Sequence, residues 1–182
     1  QWKQHRGIDM TGQDIREELK KENIPYSHAI ADDDGVGGGV VDIVRGIKGF
    51  VGNSTALPIK TPVVVQGDRK DSRKENYKNL RSQCGFMLAQ KIKKHEMCIS
   101  AYVDETTKEM IIEDLQQLKR LDTPIESPLQ LIPKEDIKEA LGRSPDFSDM
   151  MMMRMYFELD KPVVMQNRAV TGGALPYYPG IV

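Results

Sequence analysis

Apolar residues recur at three- and four-residue steps in several stretches of the chain, and the breaks between them carry proline, glycine or runs of charge. In GQDIREELKKEN, Ile15 and Leu19 fall four apart, Thr11 offers a cap with Asp14 at the third position, and Pro25 ends the run, so the spacing predicts an opening helix. A short apolar segment from Ser27 to Ala31 reads as a strand. Asp32, Asp33 and Asp34 follow, then a glycine-rich turn, then Val40, Val41, Val44 and Ile47 at helical spacing. Helix, strand, tight loop, helix is the order in which parallel sheets are built. GFVGN at 49–53 supplies a second short strand.

Residues 55–75 lose periodicity and carry Pro58, Pro62 and many charges, which predicts a long loop. From Asn76 to about Lys94, Tyr77, Leu80, Cys84, Met87, Leu88 and Ile92 mark a long amphipathic helix. MCISAYV reads as a strand, Glu105 to Leu121 as a helix, LQLIP as a strand, and KEDIKEALG as a short helix stopped by Gly142. The last helix is SPDFSDMMMMRMYFEL, with Ser144 as cap and Pro145 at the first helical position. Beyond Asp160, prolines and glycines replace any helical signal, so 1–159 reads as one domain and 160–182 as an extended tail.

A chain of 182 residues with 39% hydrophobic content can bury one ordinary core. Its net charge of −1 announces no nucleic-acid binder or membrane-surface protein, so any such partner must be met through a local patch. Cys84 and Cys98 form no Cys-x-x-Cys pair, which argues against a zinc ribbon or a disulfide scaffold and for a reducing compartment. No apolar run approaches the length of a membrane span, and QWKQHRGIDM lacks the apolar core of a signal peptide.

Three consecutive like charges at a strand-to-helix turn need an account. A solvated acidic turn is one, since Asp and Gly are the commonest turn residues. A calcium loop fails, because counting back from Gly35 puts Ile30 in the first ligand position. A phosphate loop suits GVGGG, yet carboxylates just upstream would repel the anion, and no Gly-Lys-Ser/Thr follows. The remaining account is a divalent metal held at the C-terminal end of the strand by one of the three acids, the other two being exposed or turn-forming.

A metal site needs carboxylates from elsewhere. Asp146 and Asp149, three apart, share a face in the first turns of the last helix. Acids there also complement the helix dipole, which accounts for Asp146 without any further role. Asp149 heads the apolar run Met150 to Met153, and a carboxylate at the edge of a buried helix needs a partner such as a cation.

DDDGVGGGVVDIVRGIKGFVGN, NYKNLRSQCGFMLAQKI and GRSPDFSDMMMMRMYFEL, in this order, resemble the C-terminal nuclease domain of tailed-phage terminase large subunits, over about Gly7 to Leu159. The resemblance implies an α/β RNase H-like mixed sheet flanked by helices, and Mg2+- or Mn2+-dependent, two-metal endonuclease cleavage of concatemeric double-stranded DNA. By position it gives Asp32 and Asp149 the metal-binding catalytic roles, with Asp146 as accessory. Its first acid would lie on an opening strand upstream of Thr11, where only Asp9, in an apparent turn, is near. The chain therefore reads as a piece without the packaging ATPase and the first nuclease strands. The implied partners are the terminase small subunit and the portal or procapsid, in the cytoplasm of the bacterial host.

Lys60, Arg69, Lys70, Arg73, Lys74, Lys78 and Arg81 outnumber the acids between them, a patch able to track phosphates. Asn79 and Arg81 are expected on the polar side of their helix, His28 as a structural strand residue, and Tyr177 and Tyr178 as anchors of the tail. A non-catalytic DNA-binding or capsid-docking module of the same fold, and a nucleotide-binding α/β domain using GVGGG, stand as alternatives to the nuclease.

Overall fold

The computed structural model describes residues 8–34, 38–58, 76–99 and 103–159. The chain opens with α1 (Ile8–Lys21) and turns through a 3-10 segment (Tyr26–His28) into β1 (Ile30–Asp32). It then crosses over α2 (Gly38–Ile43) to β2 (Lys48–Phe50). β1 and β2 pair in parallel, with Ile30 opposite Lys48, Ala31 opposite Gly49 and Asp32 opposite Phe50. α3 (Leu80–Lys93), α4 (Glu105–Gln116), α5 (Lys134–Leu141), α6 (Asp146–Arg154) and α7 (Tyr156–Leu159) follow. Among the described residues the sheet is this parallel pair, and two isolated bridges join Tyr77 to Leu129 and Arg120 to Leu131.

Side chains alternate across a strand, and β1 obeys the rule. Ala29 and Ala31 pack with Leu19, Val44 and Ile47 beneath α1 and α2. Ile30 faces the other way, onto Phe50, Leu80, Cys84, Leu88, Leu131, Met152, Met155 and Leu159. The same alternation sends Asp32 toward the α3 and α6 face and Asp33 back over Gly49. A Cβ on Gly49 would collide with the Asp33 carboxylate, so a larger residue opposite Ala31 would require Asp33 to move.

Several boundaries depart from the sequence reading, each for a tertiary reason. α1 begins at Ile8, so Thr11 is inside the helix and Asp9 belongs to it too. Gly12 comes so close to Ile43 that a Cβ would clash, and Arg16 donates to the Ile43 carbonyl, so α2 supports the first turns of α1. α2 stops at Ile43, and the turn through Gly46 at φ +102° lets Ile47 drop into the core. α3 starts at Leu80, not Asn76, because Asn79 is its cap, accepting a hydrogen bond from the Ser82 amide at 2.9 Å. α4 ends at Gln116, before Leu121, where the chain leaves to pair Arg120 with Leu131. Residues 97–99 form no strand, and LQLIP keeps only its bridges at Leu129 and Leu131. α5 runs as the spacing predicts, closed by Gly142 in the left-handed region at φ +67°. The loop core 59–75 and the tail 160–182, with Tyr177 and Tyr178, lie outside the described residues.

The last helix differs most. It breaks at Met155 into α6 and α7, and Ser144 does not cap it. The cap comes from across the fold: Asp114 of α4, fully buried, accepts from the amides of Phe147 at 3.0 Å and Ser148 at 3.3 Å. Arg143 closes on the same carboxylate at 2.6 Å.

Burial also separates the two thiols. Cys84 has no exposed surface, and desolvation pushes its thiol up to about 12, whereas Cys98 is exposed. Ellman's reagent at neutral pH is expected to titrate one thiol, Cys98, in the native protein and both in denaturant.

Candidate active site

The register that points Asp32 toward α3 and α6 opens a cleft of about 530 Å³ at the C-terminal end of β1, and Asp32, Asp34, Arg81, Lys134, Glu135, Lys138 and Asp149 all line it. Asp32 and Asp34 are exposed, two apart and on one face. The Asp34 amide donates to Asp32 Oδ1 at 3.1 Å, and the Gly52 amide donates to Asp34 Oδ2 at 2.7 Å. The acidic turn is thereby tied to the loop after β2. Asp33, over Gly49, is directed away from the cleft.

Asp149 arrives from the opposite end of the chain, in the first turn of α6, with 13% of its side chain exposed. Asp114 fixes that turn by holding the amides of the two preceding residues. The partner that a carboxylate in this position requires is Lys134, whose Nζ lies 2.5 Å from Asp149 Oδ2. Lys134 is the first residue of α5, where a cation opposes the helix dipole. That misplacement was the one sign in the sequence that this lysine has another task.

Arg81 forms the floor. Its Nη1 donates to the Ile132 carbonyl at 2.9 Å, while Nε and Nη2 are buried with no hydrogen-bond partner among the described residues. Burial lowers its pKa, a shift that the charges of Asp149 and Glu135 only partly offset, and a guanidinium stays charged even so. The rim opposite α5 is polar, with Asn79 Nδ2 donating to Asn53 Oδ1 at 3.3 Å.

The same architecture occurs in solved structures. The nuclease domain of the large terminase subunit gp2 of bacterial virus Sf6 matches with a TM-score of 0.56 and 21% identity, over 82% of this chain and 70% of that one. A lysine-to-alanine mutant of that nuclease domain, with manganese, matches with a TM-score of 0.55 and 21% identity, over 82% of this chain and 71% of that one. The fold is that of a terminase nuclease domain. It is the RNase H-like α/β fold that the three sequence segments implied. No protein-family model matches the chain, and no curated protein matches it in sequence.

On this terminase-nuclease fold, the residues singled out from sequence divide. Asp32 and Asp149 line the same cleft, and so does Arg81. Asp146 is exposed and does not line the cleft, although it sits one turn before Asp149. Lys78 is exposed, and its backbone amide ties to the Leu129 carbonyl at 3.0 Å. Arg69, Lys70, Arg73 and Lys74 lie outside the described residues. Asn79 serves as a helix cap, and His28 belongs to the 3-10 turn, not a strand, with its ring stacked on Phe157 at 6.4 Å. Lys134, Glu135 and Lys138 are cleft residues that the sequence reading passed over.

The donor chemistry suits a hard divalent cation. Among the described residues no three His, Cys, Asp or Glu side chains cluster closely enough to enclose a metal ion. Mg2+ does not need such a cage, because it binds through one or two carboxylates and completes its octahedron with water and phosphate oxygens. Asp32 and Asp149 in one open cleft fit that pattern.

Proposed function

We propose that this chain is a metal-dependent endonuclease module of a phage DNA-packaging terminase, cutting double-stranded DNA by phosphodiester hydrolysis. The observation that carries this reading is the convergence of Asp32, from the end of β1, and Asp149, from α6, on one cleft in a chain with the terminase-nuclease fold. Asp32 and Asp149 would hold a divalent ion, Mg2+ or Mn2+, and the ion would supply Lewis-acid chemistry for phosphodiester hydrolysis. Asp34 and Glu135 are the further carboxylates of the cleft available to a second ion. Lys134 neutralises Asp149 and competes with any cation for its Oδ2. Arg81 keeps a fixed positive charge under the site, and Lys78 with Arg69, Lys70, Arg73 and Lys74 gives the chain cations for backbone phosphates. The implied partners are duplex DNA, the terminase small subunit and the portal or procapsid, in the host cytoplasm. No described helix is long and apolar enough to cross a membrane.

The tight Lys134 pairing at Asp149 favours a second reading, a non-catalytic DNA-binding or docking module of the same fold. Metal add-back separates the two. Chelator-treated protein is expected to leave supercoiled plasmid intact and, once Mn2+ or Mg2+ is restored, to convert it to nicked and linear forms. Duplex binding with no cutting under either ion would leave only the second reading standing.

A further inference from the structure

Among the described residues three cations line the cleft, and two of them are engaged. Lys134 is paired with Asp149, and Arg81 is fastened to the Ile132 carbonyl. Lys138 lines the same cleft, is exposed, and makes no ion pair or side-chain hydrogen bond among the described residues. Glu135, the one acid of α5 that also lines the cleft, acts on Arg81. Asp136 and Glu139 of the same helix are exposed and outside the cleft lining.

The placement of Lys138 follows from helix geometry. Residues four apart share one face, so Lys134 and Lys138 look into the cleft about 6 Å apart along the axis of α5. The first marks the position of Asp149, and the second stands one turn farther along the wall. Asp32, Asp34 and Glu135 repel a phosphodiester that approaches the acid pair, so an entering backbone needs a positive contact beside them. A solvated, uncommitted ammonium meets that need at small cost, since a phosphate replaces water without breaking an existing pair.

We infer that Lys138 is a substrate-positioning residue that binds a backbone phosphate of the DNA strand about one helical turn from the phosphate cleaved between Asp32 and Asp149. This inference rests on the nuclease reading above. It places a phosphate contact on α5, apart from the basic stretch at 60–81.

The test is binding of the full chain to a short DNA duplex, followed by fluorescence anisotropy without divalent ions over a salt series. Lys138→Gln is expected to weaken binding roughly fivefold at low salt, to the same degree for unrelated duplex sequences, and to flatten the log–log salt slope by about 1. Lys138→Arg should restore both values. Lys20→Gln, an exposed lysine on α1, should alter neither. In Mn2+-supported cleavage, Lys138→Gln should raise KM while kcat stays within about twofold, the signature of lost uniform binding. An unchanged salt slope in Lys138→Gln, or failure of arginine to restore it, overturns the inference. If those results come from a protein that Asp149→Asn inactivates, only the role of Lys138 falls. A wild-type chain that neither binds nor cuts duplex DNA overturns the nuclease reading and the role of Lys138 with it.

Discussion

Asp32→Asn and Asp149→Asn are each expected, on the nuclease reading, to lower Mn2+-supported plasmid cleavage on the order of 10³-fold or more, because each would remove one of two carboxylates that act as a unit. The amide keeps the shape of the side chain but not the charge that attracts a cation. Asp32 is exposed and, among the described residues, accepts only the Asp34 amide, so its replacement should leave the thermal midpoint almost unchanged. Asp149→Asn also dissolves the ion pair with Lys134, whose side chain is 32% exposed and can take up water instead. Folding measured by circular dichroism beside cleavage therefore separates lost chemistry from lost structure. If both variants cut at the wild-type rate, the cleft is not where the phosphodiester is hydrolysed. Because the effects come from one unit, the double variant should be little worse than either single one.

Asp114→Ala is expected to destabilise the fold by about 3 kcal/mol, the lower end for breaking a buried charge pair, since Arg143 keeps some contact with solvent. Three donors lose their acceptor together: the Phe147 amide, the Ser148 amide and Arg143 Nη1. For a chain of this length that corresponds to a fall in the thermal midpoint of roughly 6–12 °C. Arg143→Met tests the same pair from the other side, because it leaves the Asp114 charge buried with backbone amides alone. A midpoint within about 2 °C of wild type for both variants would mean that the α4 carboxylate does not hold α6 in place.

Much of the framework could be read from the chain itself. The order of helix and strand around the aspartates, the extent of α5 with Gly142 at its end, and the apolar stripe of α3 all follow from local periodicity and turn chemistry. The misreadings share a cause. Thr11 and Ser144 are chemically good caps, but α1 is extended by its contact with α2, and α6 takes its cap from a residue of α4 far away in sequence. Asn79 was placed on the polar side of a helix already under way, whereas it is the residue on which that helix begins. Window-based reading sees only near neighbours, and each of these ends is decided by distant or one-sided contacts.

The same limit applied to the cleft. Asp149 was legible as an acid at the edge of an apolar helix, where an unpaired charge is costly, whereas Asp32 was singled out among three neighbouring acids only by the family resemblance. Their companions were not. Lys134 looked like an ordinary surface lysine until α5 brought it to 2.5 Å from Asp149, and Asp114 looked like the polar side of α4 until the fold buried it completely. Asp146 shows the converse, since sharing a helix face with Asp149 in a helical projection did not carry it to the cleft.

The two carboxylates come from opposite ends of the described chain, and their meeting has a consequence for biosynthesis. A chain still emerging from the ribosome holds Asp32 long before Asp149 exists, and α6 can be anchored only after α4 has supplied its buried acid. On the nuclease reading, cutting power therefore arises only in a finished domain. On the same reading, a nascent chain or a copy clipped before α6 would lack one of the two acids and could not cut DNA.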